Sequence, residues 1–217
     1  MHLCLASGSP RRRELLALIG LPFRVIPALI DEQRHLDEPS EDFARRLSRE
    51  KAEAAARVVE PPALILAADT IVVDGDDVLG KPRDPAEAAV MLRRLRGRTH
   101  RVLTGITLLD PATRRMLTEV ACSPVSMRPY RDEEIEAYVA AGDPFDKAGA
   151  YAIQHEGFQP VIGFDHCFAN VMGLPLCHAA RMLRRLGLQS PVDIPCACQQ
   201  ALGSNCPVWE RILAGGE

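Results

Sequence analysis

The chain has 217 residues, 47% of them hydrophobic, with 29 acids against 26 bases and a net charge of −3. That length and apolar content fit one large domain, or one domain in two lobes. The charge excludes a global basic field that would recruit nucleic acid, and 5% aromatics is too sparse for base-stacking platforms.

The N-terminus lacks a basic segment followed by a long apolar stretch, and apolar runs such as residues 63–68 fall far short of a bilayer span. A cytoplasmic protein is expected, with no membrane association and no stable nucleic-acid partner.

In chain order, residues 2–6 read as a short strand. Ser9 then caps a helix with Pro10 at its first position, Leu15, Leu16 and Ile19 recur at helical spacing, and Gly20 closes it. This puts Arg11, Arg12 and Arg13 in a first turn where the helix dipole favours acids over bases by roughly 0.3–1 kcal/mol. Residues 21–30 read as a second strand reaching the acidic segment 31–33. Ser40 is expected to cap a helix to about residue 59, carrying Phe43, Leu47 and Lys51 at four-residue intervals, until Pro61 and Pro62 stop it. Residues 63–82 read as a strand, a turn at Asp74-Gly75 and a returning strand. Asp84, Pro85 and Glu87 form a capping box for a helix that stops at Gly97. Residues 99–109 and 115–127 flank a hairpin turn, and 131–142 is a helix with acids in its first turn. Residues 149–154 and 163–171 are expected to be strands, and 173–187 a helix. The remaining segment reads as an appended loop with a short terminal helix. Helices and hairpins together predict a mixed sheet.

Ser7-Gly8-Ser9 brings hydroxyls and free main-chain N–H groups to one point ahead of a helix. A polyphosphate there would account for the arginines, because guanidiniums fork onto its oxygens. Successive helical residues diverge by about 100°, so only some of the three can reach it. A solvated basic turn is the plain alternative. In ILAADTIVV, residues 65–73, Asp69 and Thr70 interrupt an apolar strand pattern, where an unused carboxylate costs desolvation. Asp69 would bind a divalent cation or take a proton from water; a turn cap is the alternative. Glu32 adds an acid, and Gln154 can read a base edge with its paired donor and acceptor. Only three bases are lysine, Lys51, Lys81 and Lys147, which marks them as candidates for compact point charges in an arginine-rich chain. The seven cysteines suggest neither a disulfide framework nor a paired C-x-x-C zinc site. Cys177, Cys196, Cys198 and Cys206 read as ordinary small side chains.

The strings LASGSPRRRELL, EKA, AADTIV, GKP, GRTHRVLTG, DKAGAYAIQ and NVMGLPL occur in this order. Together they resemble the Maf family of nucleoside triphosphate pyrophosphatases. The resemblance implies an α/β, two-lobed Maf/ITPase-like fold in residues 1–188, with a curved mixed sheet and a central cleft. Residues 189–217 would be a cysteine-containing extension with no usual counterpart. The implied reaction is NTP plus water to NMP plus pyrophosphate, with Asp69 as proton acceptor. Arg12, Thr70 and Gln154 would mark the branch acting on dTTP and UTP. Ser7, Ser9, Arg11, Lys51, Lys81 and Lys147 would hold phosphates, and Glu32 with Asp69 a divalent cation, Mg²⁺ or Mn²⁺. Residues 155–171 depart from the family's glycine- and tyrosine-bearing version, which bears on base preference. A homodimer is left open.

Two other classes stay open. A nucleotidyltransferase shares the strand, Gly/Ser loop and arginine, but its lysine some ten residues later is Leu21 here. A regulator of division would bind nucleotide without turnover.

Overall fold

The computed structural model describes residues 2–216. Its strands are β1 (His2–Leu5), β2 (Phe23–Val25), β3 (Ala63–Asp74), β4 (Asp77–Leu79), β5 (Thr99–Asp110), β6 (Arg115–Met127) and β7 (Val161–Ile162). They form one sheet in the order β2-β1-β3-β5-β6-β7, with β4 paired to β3. β1 runs parallel to β2 and β3, and the other pairings are antiparallel, so the sheet is mixed. The helices are α1 (Pro10–Ala17), α2 (Ser40–Ala56), α3 (Pro85–Leu95), α4 (Asp132–Ala140), α5 (Phe168–Val171), α6 (Leu176–Arg185), α7 (Ile194–Leu202) and α8 (Trp209–Ala214). None described is long and apolar enough to cross a membrane.

Strand alternation sorts β3 onto two faces. Ala63, Ile65, Ala67, Ile71 and Val73 pack beneath α2 with Phe43, Leu47, Ala52 and Ala55. On the other face Leu64, Leu66 and Ala68 join Leu15 and Leu16 of α1 and Met182 of α6. Val72 instead joins Leu92 of α3 and Ile135 of α4. Between these two cores stands Thr70, opposite Thr104, which itself separates Val102 from Ile106 on β5. A polar seam thus divides the second face into two lobes.

Local signals explain most boundaries. The Ser9 hydroxyl accepts from Arg12 N at 3.5 Å, and the Asp84 carboxylate from Glu87 N at 2.8 Å, as their caps predict. The Glu87 carboxylate returns to Arg83 N at 2.7 Å, one residue earlier than a capping box requires. Ser40 does not cap α2: it is the first helical residue, Pro39 stands at the cap, and Glu41 with Asp42 faces the dipole. The strand expected over 21–30 shrinks to β2, because Pro22 and Pro27 bracket it and lack N–H groups for pairing.

Three expectations are overturned. Residues 149–154 are no strand, since Gly149 at φ 70° and Ala150 at φ 61° turn the chain through the left-handed region. Residues 163–171 are no strand either; the segment ends in α5, where Asn170 donates to Val102 O at 3.1 Å and Ser123 Oγ at 2.9 Å. The segment after Leu188 has the short terminal helix expected of it, α8, but the rest is no appended loop. The segment forms α7, capped by Asp193 onto Cys196 N at 2.9 Å, and α8, and buries Ile194 and Ile212 in the core beneath α1 and α6.

The contact that sets the depth of α2 is at Gly105, where an added Cβ would lie 2.0 Å from Ala44 O. Gly105→Ala is therefore expected to destabilise the chain by about 3 kcal/mol or more. Gly80→Ala, with nothing within 4 Å of the added carbon, should stay within about 0.5 kcal/mol. Urea unfolding of the two variants checks this, and equal midpoints would contradict the close approach.

Candidate active site

The three arginines of α1 have three different fates. Arg13 is exposed. Arg11 reaches across to the loop after α4, its Nη2 lying 3.5 Å from the Asp146 carboxylate and 3.4 Å from Asp146 O. Arg12 points into the seam: Nε donates to Gly173 O at 2.8 Å, Nη1 to Ser7 Oγ at 3.3 Å and Nη2 to Thr70 Oγ1 at 3.1 Å. Three elements thus meet on one guanidinium, and two of its five donors remain. Burial draws Arg12 down from the usual arginine range, against the pull of Asp69 and Glu32.

The seam continues from Thr70 Oγ1 to Thr104 Oγ1 at 2.9 Å and from Thr104 Oγ1 to Asn170 O at 3.0 Å. A carbonyl only accepts, so the Thr104 proton goes to Asn170, and Thr70 must donate to Thr104.

Asp69 projects to the opposite face of β3, toward α2. Its Oδ1 is held by Lys51 Nζ, which also lies 2.7 Å from Glu32 Oε1. The Lys51 and Asp69 side chains are 9% and 10% exposed, whereas Glu32 at 55% faces outward. Burial pushes the Glu32 carboxyl up, but the Lys51 hydrogen bond and charge, with Lys81 and Arg12 behind it, hold it below its ordinary value. Among the described residues no three His, Cys, Asp or Glu side chains form a cation cage. Two carboxylates converging on one ammonium nevertheless suit a hard cation such as Mg²⁺, which takes one or two carboxylates and completes its shell with waters and substrate phosphates.

A cavity of about 690 Å³, its open mouth included, lies on the seam side. Ser9, Arg11 and Arg12 form one wall, Thr70, Val72 and Val102 the floor, and Val171, Met172 and Gly173 the other side. Lys81, Lys147 and Gln154 also line it. Lys147 Nζ is engaged by the Asp146 carboxylate at 2.6 Å and by Asp143 O. Gln154 is exposed at the cavity, on an irregular loop. Seven predicted residues therefore surround one cavity, and Ser7 braces Arg12 behind it. Glu32, Lys51 and Asp69 form an ion-pair chain across β3, coupled to the cavity through the charges of Arg12 and Lys81.

Sequence reasoning missed Thr104, Asn170 and Gly173, which complete the seam, and Asp146, which meets Arg11. It also missed Tyr151, which lines the cavity with its hydroxyl 2.7 Å from buried His100 Nε2. Thr104 had a signal: a polar residue between Val102 and Ile106 in an alternating strand.

A family model described as "Maf-like protein" matches residues 2–186. The chain belongs to the Maf family. A dTTP/UTP pyrophosphatase from Thermomicrobium roseum is 45% identical over 215 residues, covering 96% of this chain and 94% of that protein. That alignment runs into the segment after Leu188, so the segment has a counterpart in at least this relative. Proteins of the same name from Geobacter sulfurreducens and Myxococcus xanthus are 46% and 48% identical, covering 86% and 87% of this chain and 97% and 94% of theirs. A solved dITP/XTP pyrophosphatase from Mycobacterium abscessus superposes loosely, with a TM-score of 0.40 and 15% identity over 86% of this chain and 98% of that one.

In this Maf protein, burial holds His100 from its ordinary 6.5 down to about 4, with Asp74 opposing weakly. The unfolded chain then takes up the proton first as pH falls. The stability contribution is fully present above pH 6.5 and is lost as pH drops toward 4. The full shift corresponds to about 3 kcal/mol. Urea unfolding between pH 7 and pH 4 should show a steeper loss for the parent than for His100→Gln; parallel curves would remove His100 as the cause.

Proposed function

We propose that this Maf protein hydrolyses nucleoside triphosphates, dTTP and UTP foremost, to monophosphate and pyrophosphate. The observation that carries the reading is Asp69: a nearly buried carboxylate, fixed by Lys51, next in the chain to the Thr70 floor of a cation-lined cavity. The relatives named dTTP/UTP pyrophosphatase, at 45–48% identity, support the same chemistry.

In this reading water attacks the α-phosphorus and pyrophosphate leaves with the electron pair of the bridging oxygen. Lys51 orients Asp69 through Oδ1, which leaves Oδ2 to accept the proton from water. Arg11, Lys81 and Lys147 hold the outer phosphates; Arg11 and Lys147 exchange Asp146 for phosphate oxygens to do so. Arg12 serves first as a brace, through Ser7, Thr70 and Gly173, and turns its remaining donors to the ligand. Ser9 holds the end of α1 at the phosphates. Glu32 and Asp69 are the groups that would hold Mg²⁺ or Mn²⁺, whose chemistry when bound is to offset phosphate charge. Removal of noncanonical or surplus nucleotides in the cytoplasm is the purpose this activity would serve.

Pyrophosphate release from dTTP with Mg²⁺ tests the reading; binding without release would favour a regulator. Asp69→Asn keeps the shape and removes the base, so turnover should fall by roughly 10²–10⁴. Activity within a few-fold of the parent would take Asp69 out of the mechanism.

Gln154 can pair with both O4 and N3–H of uracil or thymine, where cytosine presents the reverse. Its amide is exposed before a base covers it, so the penalty for a mismatched base arises only in the complex, on the order of 1–3 kcal/mol. A triphosphate panel should rank dTTP and UTP first and lose that order in Gln154→Ala. A purine preference in the parent would contradict the assignment.

A further inference from the structure

Four of the seven cysteines meet. Cys167 at the start of α5, Cys177 of α6, Cys198 of α7 and Cys206 in the α7–α8 connection line one small cavity with Leu176 and Trp209. Within it Cys167 and Cys206 are hydrogen-bonding neighbours. The main-chain donors of Val208 and Trp209, and the His166 side chain, lie around Cys206.

Cys167 does not line the nucleotide cavity itself but opens the turn that leads to it. Its carbonyl accepts from Ser123 Oγ at 3.4 Å and Asn170 N at 3.1 Å. The α5 turn that follows leads directly into Val171, Met172 and Gly173 of that cavity. Cys206 belongs to the segment after Leu188, held here by Cys206 N donating to Gln199 Oε1 at 2.9 Å.

We propose that Cys167 and Cys206 are a thiol–disulfide pair whose oxidation by hydroperoxides staples the C-terminal segment to the start of α5, the turn that leads into the nucleotide cavity. Cys206 is the attacking sulfur. It is half-exposed, and the hydrogen bond with Cys167, followed by the main-chain donors, holds it below the ordinary thiol value. Cys167, buried, is held above it by the same bond and by burial. The Cys206 thiolate attacks one oxygen of the hydroperoxide, breaking the O–O bond and releasing an alcohol, or water from hydrogen peroxide itself. Cys167 then attacks the resulting sulfenic sulfur and releases water. Two thiols and one hydroperoxide give one disulfide, one alcohol and one water: the sulfurs lose two electrons and the peroxide gains them.

The test uses the full chain, reduced and then exposed to hydrogen peroxide. Trypsin leaves Cys167 with Cys177 in residues 148–181, and Cys196, Cys198 and Cys206 together in residues 186–211. Fragmentation of the joined peptides should place the link at Cys167 and Cys206, with Cys177 and Cys198 still open to alkylation. Closing a loop of about 40 residues should raise Tm on the order of 10 °C, reversibly with dithiothreitol. Cys198→Ser should keep the link and the shift; Cys206→Ser and Cys167→Ala, made in parallel, should each lose both. A link from Cys167 to Cys198, overoxidation of Cys206 with no link, or stoichiometric zinc that shields the thiols would each overturn the proposal.

Discussion

The contact on which the site depends is backbone against backbone: Gly105 of β5 beneath the Ala44 carbonyl of α2. Without a side chain in between, the helix lies directly on the sheet. Gly105 pairs with Asp69 across the β3–β5 ladder, so the same close approach brings Lys51, two turns further along α2, onto the Asp69 carboxylate. Ser48, on the same helix face, reaches Thr107 Oγ1 at 2.9 Å. A helix held a side chain's thickness away would leave Asp69 a buried charge without a partner, a costly state.

The second organising feature is the seam on the opposite face. Apolar alternation would have filled positions 70 and 104 with aliphatic side chains and fused the two cores. Two threonines there keep the lobes apart and give Arg12 an anchor. This answers the problem set by the helix start. A cation in the first turn of α1 opposes the dipole by a fraction of a kcal/mol, and three charge-assisted hydrogen bonds from Arg12 outweigh it.

Legibility in the sequence followed the range of the physics. Ser9-Pro10 and Asp84-Pro85 announced their helices because caps are local. The long hairpin of β5 and β6 was legible from its turn residues. Residues 147–154 were not, because Ala150 takes a left-handed conformation that its side chain does not advertise. After Leu188 the short terminal helix was legible, but α7 was not, and it owes its place to burial of Ile194 in the core. The candidate site divides in the same way. Residue identity marked Asp69, Thr70, Arg12 and the three lysines, but the pairing of Lys51 with Asp69 rests on a close approach at Gly105 that no local pattern encodes. The meeting of four cysteines likewise depends on where α7 lands.

The direction of the seam's hydrogen bonds limits what the cavity floor can offer. Thr70 spends its single proton on Thr104 and receives one from Arg12, so its oxygen faces the cavity with only a lone pair to share. A ligand group arriving there must bring its own hydrogen. A ring N–H finds an acceptor, whereas a carbonyl or phosphate oxygen finds none and is turned toward the guanidinium beside it. The floor is a one-way filter for hydrogen-bond polarity, set by an asparagine carbonyl two bonds away.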